Sequence, residues 1–85
     1  MFPHDEFNSA SPAVVAEATM RVIDRIQTLS PAVQLHACAA VFLLVSERFG
    51  FEPQDVFSYT NNLMNYAEGR RPEFAAVRAY LENEL

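Results

Sequence analysis

Residues Ala37 to Val45 run for nine positions without a polar side chain: Ala-Cys-Ala-Ala-Val-Phe-Leu-Leu-Val. On a helix this is about two and a half turns, so every side of the segment is apolar. A helix that is apolar all round is normally surrounded by others. The run is far short of the roughly 20 residues a membrane span needs. The expectation is an all-α domain with this helix at its centre.

Serine, proline and glycine mark the helix boundaries. Ser11-Pro12 and Ser30-Pro31 each place a capping hydroxyl before a proline at the first helical position, where the missing N–H costs nothing. Pro53 and Pro72 open two more helices, and Gly50 and Gly69 close the ones before them. The pattern predicts a compact four-helix domain with helices over about 12–28, 31–49, 53–68 and 72–84. A flexible arm of residues 1–10 precedes it, anchored only by Phe2 and Phe7.

Each helix has a readable face. In the first, Val15, Thr19, Val22, Ile26 and Leu29 form an apolar stripe, opposite Glu17, Arg21, Asp24, Arg25 and Thr28. Ala16, Met20 and Ile23 widen the stripe on a flank suited to a neighbouring helix or a second subunit. Glu17 and Arg21 form an i,i+4 pair in the favourable order. In the third helix, Val56, Thr60, Leu63 and Ala67 centre the apolar side, flanked by Phe57, Tyr59, Met64 and Tyr66. In the fourth, Phe74, Val77, Leu81 and Leu85 make a narrow seam.

Eighty-five residues allow one domain, and 51% apolar residues are more than a small core readily hides. That excess favours a surface for self-association or a partner. The net charge is −5 and all six basic residues are arginine, so phosphate polymers are repelled unless positive charge is gathered locally. Cys38 alone makes no internal disulfide, and the acidic N-terminus lacks the basic start of a signal peptide. A soluble, cytoplasmic protein is expected.

The residues offer little chemistry. His36 and Cys38 are two apart on a helix and point about 200° away from each other, so they cannot hold one metal ion. Paired cysteine motifs, Glu-x-x-His pairs and a glycine-rich phosphate loop are all missing from the sequence. Cys38 reads as a small buried hydrophobe and His36 as a boundary or core-edge residue. The chain is therefore expected to be no enzyme and to use no metal or cofactor.

From Phe42 to Asn61 the order is helix, glycine turn, helix. Val45, Phe49 and Phe51 surround Gly50, Val56 and Tyr59 follow, and Ser46 sits where the helices would cross. The stretch Ser46-Glu47-Arg48-Phe49-Gly50-Phe51-Glu52-Pro53-Gln54-Asp55-Val56 resembles the helix-turn-helix of many DNA-binding regulators. That resemblance covers about 20 of the 85 residues and implies a DNA-binding or transcription-accessory role, for which the phosphate contacts would have to come from beyond it, from the one basic cluster, Arg70 and Arg71, joined by Arg78. Charge opposes it: from Phe51 to Gly69 there is no basic residue, while Glu52, Asp55 and Glu68 are acidic.

The outer face of the third helix suits a protein better. Gln54, Ser58, Asn61, Asn62 and Asn65 are polar but uncharged, and cheaper to desolvate than a lysine–glutamate face. Phe57 and Tyr66 border them as aromatic anchors. The sequence thus predicts a small protein–protein interaction module, a homodimer acting through the third helix or the flank of the first. Its texture is that of short acidic helical proteins of bacteria and bacteriophages that bind and modulate other proteins.

Overall fold

The computed structural model describes residues 10–66 and 69–85. The expected arm, with Phe2 and Phe7, lies outside these residues except for Ala10, and so does Ala67. The described residues form four helices: α1 (Pro12–Ile26), α2 (Pro31–Arg48), α3 (Pro53–Met64) and α4 (Pro72–Glu84). This is the all-α four-helix domain that the punctuation predicts.

The caps work as the sequence suggests. Ser11 Oγ accepts from the Val14 N–H and Ser30 Oγ from the Val33 N–H, each at 3.4 Å. α2 ends in a Schellman motif: Gly50 N–H donates to Glu47 O at 3.1 Å and Phe51 N–H to Ser46 O at 2.8 Å. Gly50 holds φ at +77°, and a Cβ there would touch nothing. Strain at a left-handed backbone is then the only local cost of adding one. Gly50→Ala should therefore lower stability by about 1 kcal/mol, read as an earlier urea midpoint with an unchanged slope.

α3 ends at Met64, four residues before the expected boundary. There the chain opens into two short strands, β1 (Asn65–Tyr66) and β2 (Gly69–Arg70). They pair antiparallel, Asn65 opposite Arg70 and Tyr66 opposite Gly69. Asn65 Nδ2 donates to Asn61 O at 2.9 Å, taking up one carbonyl of the last helical turn. Arg71 N–H donates to Met64 O at 3.0 Å and closes the link into α4.

The core lies between α1, α4 and the end of α3. Ala16, Ile23, Phe74 and Val77 are its buried apolar residues, with Val15, Met20, Leu63, Met64 and Tyr80 packed against them. α1 is therefore rolled toward its expected flank. Ala16, Met20 and Ile23 face α4 rather than a second subunit, while Val22 and Leu29 of the expected stripe stand exposed. Tyr80 Oη donates to Asp24 Oδ1, a bond between α4 and α1 that agrees with this roll. At the end of α4 the predicted seam runs out, and Leu81 and Leu85 are exposed.

The larger correction concerns α2. None of its residues joins the core, and Ser46 is its one buried residue among those described. The other helices do not surround it. The shortest extent of the molecule is 17 Å, room for about two helix layers at normal spacing and not for a central helix wrapped on all sides. No single helix among the described residues is long and apolar enough to cross a membrane. α2 and α3 reach that length and composition only as a pair, across a 114° bend.

Candidate interaction surface

The surface is built on α2. Ser30 and Pro31 start the helix and Gly50 stops it, and among the described residues its main packing partner is α3. Ser46 is buried where α3 crosses, and its Oγ donates to Phe42 O at 2.7 Å. Phe42 is half-buried beside it. Near the other end, Gln34 Nε2 donates to Ile26 O at 3.0 Å. The remaining sides are open: Leu35, Val41 and Leu44 are 74%, 60% and 63% exposed, and Val33, Leu43 and Val45 about half.

Their order around the helix matters. Successive residues turn by about 100°. Val33, Ala37, Ala40 and Leu44, spaced by four, three and four, therefore fall in one strip about 60° wide. The strip lies on the side opposite Phe42 and Ser46, facing away from α3. Val41 borders it on one edge and His36 and Leu43 on the other, with Arg48 and Glu47 flanking it at the C-terminal end, and of its four residues Ala37 is half-buried while Val33, Ala40 and Leu44 are exposed. At the end of the helix, the Arg48 guanidinium lies 5.3 Å from the centre of the Phe49 ring, itself exposed.

His36 and Cys38 are both exposed on α2, so neither the buried-hydrophobe nor the core-edge reading holds. The same misplacement of α2 accounts for both.

α3 presents the predicted polar face. Gln54, Phe57, Ser58, Asn61 and Asn62 are exposed, with Phe57 at 62%. Its opposite side, Val56, Tyr59, Thr60 and Leu63, is half-buried. Ser58 Oγ donates to Gln54 O at 3.1 Å, and Asn65 also reaches Asn61 Oδ1 at 3.3 Å. Asn65 stands in β1, just past the helix, and the Tyr66 side chain lies outside the described residues.

The chain turns 114° between α2 and α3, inside the roughly 90–120° range of helix-turn-helix corners. The corner's apolar residues behave differently from that resemblance, since Val45 and Phe49 are exposed rather than covered. Of the three arginines, Arg70 is in β2, its side chain outside the described residues. Arg71 caps α4 and Arg78 lies two turns along it, both half-buried. The exposed face of α3 carries none of them.

Two polar contacts sit apart from this surface. Glu17 and Arg21 form the predicted pair at 2.8 Å on exposed α1. The Tyr80–Asp24 bond joins positions 56 apart in sequence, so nothing local announces it. That bond, helped by desolvation and the charges of Asp24 and Glu84, pushes the phenol of Tyr80 from 10.0 up to about 12. The folded state thus holds this proton more tightly than the unfolded chain. The stabilisation is complete below pH 10 and disappears as pH rises toward about 12. Tyr80→Phe should be less stable at neutral pH and should flatten that alkaline decline, as unfolding midpoints measured against pH for both proteins will report.

Among the described residues, no three His, Cys, Asp or Glu side chains are grouped so as to hold a metal ion. The chain matches no protein-family model, and no curated protein or solved structure matches it.

Proposed function

We propose that the chain is a small non-enzymatic interaction module of the cytoplasm. It self-associates as a homodimer through α2 and offers the α3 face to another protein. The observation that carries the first half is the exposure of α2. α1, α3 and α4 gather the buried core without it, while its valines and leucines stay in water. Burial of such side chains is worth roughly 1.5–3 kcal/mol each, which gives α2 a strong tendency to find a cover. Support for the second half is the uncharged amide face of α3 with the exposed Phe57 ring as anchor.

The test is capture from nuclease-treated lysate of the native host. One protein retained by the wild type and lost with Asn61→Arg plus Asn65→Arg is the expected result. Equal retention by both would remove α3 as the binding face.

A second reading, DNA binding, draws on the 114° corner. It requires phosphate contacts from Arg70, Arg71 and Arg78, because α3 has no basic residue. It predicts a duplex shift at low salt that fades steeply as salt rises and is lost with Arg70→Ala plus Arg71→Ala. The proposed module gives no shift at any salt.

A further inference from the structure

We propose that two copies of the chain pair antiparallel along α2, Ala37 of each against Ala40 of the other. This rests on the homodimer reading and names its interface. The strip Val33-Ala37-Ala40-Leu44 reads large, small, small, large, and its midpoint falls between Ala37 and Ala40. Turned end for end about that midpoint, it meets itself in register. Val33 faces the partner subunit's Leu44, Leu44 faces the partner subunit's Val33, and the alanines face each other at the waist. That reciprocity is what a twofold interface requires. The small waist lets the backbones approach closely, and the large ends fill the space beyond it.

Area and charge agree. The strip and its edges, Val41 and Leu43, expose roughly 500 Å² per chain, so a pair can bury at most about 1,000 Å², the size at which specific interfaces begin. Each copy carries a net charge of −5, so an uncharged contact face matters. A parallel pair would set Glu47 against Glu47 and Arg48 against Arg48. The antiparallel pair separates them and brings each Glu47 toward the N-terminus of the other helix, where Ser30 and Pro31 begin it and the helix dipole favours an acid. The two helix dipoles also oppose each other.

Disulfide trapping tests the arrangement. Val33→Cys and Leu44→Cys are made separately in a Cys38→Ser background and oxidised alone and mixed. Solution mass is read before oxidation, and helical circular dichroism confirms that each variant is folded. In the antiparallel pair, position 33 lies about 16 Å along the axis from its own mate, too far for a disulfide, whereas 33 and 44 of opposite chains are in reach. The expected result is a dimer mass throughout, with a cross-link only in the mixture and only between positions 33 and 44. Self-cross-linking of Val33→Cys alone would overturn the proposal in favour of a parallel pair. A dimer mass without the 33–44 link would place the dimer on another face and also overturn it. A single-chain mass would sink the homodimer reading beneath it.

Discussion

Leu44→Glu should convert the protein to a 9.6 kDa monomer at concentrations where the wild type is dimeric. Leu44 is 63% exposed in the single chain and belongs to no part of the core cluster, so within one protomer it holds little together. A surface change of this kind normally moves stability by no more than about 0.5 kcal/mol. In the dimer the same side chain is covered twice, once per subunit. Losing two buried leucines removes roughly 3–6 kcal/mol, before the cost of desolvating two carboxylates is added. Dimer affinity should weaken at least about a hundredfold, since each 1.4 kcal/mol is a factor of about ten. Sedimentation at matched concentrations reads the shift. An unchanged mass would mean that Leu44 is not at the interface.

Phe74→Ala has the opposite character: it should unfold much of the protein while leaving the α2 surface chemically untouched. Phe74 is 2% exposed, the most buried of the core residues described. It packs in one cluster with Ala16, Ile23 and Val77, with Leu63 and Met64 of α3 against it. Truncating a buried phenylalanine costs about 3–5 kcal/mol, through lost transfer energy and the cavity left behind. Against the 5 kcal/mol or so that small domains possess, that is most of the total. Chemical denaturation should show a midpoint shift far larger than for Phe49→Ala, whose ring is 60% exposed in the single chain. Similar losses at the two sites would show that the core is not where α1, α3 and α4 meet.

The contrast between these two positions also shows what the sequence could and could not reveal. Helix starts were legible because their causes are local. A serine hydroxyl caps the N–H three residues on, and a proline follows it. The left-handed glycine at position 50 acts over a few residues in the same way. The end of α3 was not legible, because the two-residue ladder pairing Asn65 with Arg70 competes with continuing the helix. The buried face of α1 lies part of a turn from the expected stripe. Its apolar stripe was wide enough for either side to serve, and the choice fell to distant partners, Phe74 and Val77 among them.

α2 departs from its expected central place for a different reason. An unbroken apolar run says that a helix needs covering and is silent on whether the cover comes from its own chain. Here the core closes around Phe74 without it, and Leu35, Val41 and Leu44 are left outside. The polar face of α3 was legible residue by residue, since Gln54, Ser58, Asn61 and Asn62 stand exposed as their spacing predicts. Phe57 went the same way, an aromatic ring in solvent beside amides.

The mass of the wild-type protein in solution, followed by sedimentation equilibrium from low to high micromolar concentration, tests the central claim most directly. An exposed apolar α2 that is covered by a second copy predicts twice 9.6 kDa across the upper part of that range. A species that stays at 9.6 kDa at the highest concentration would contradict it.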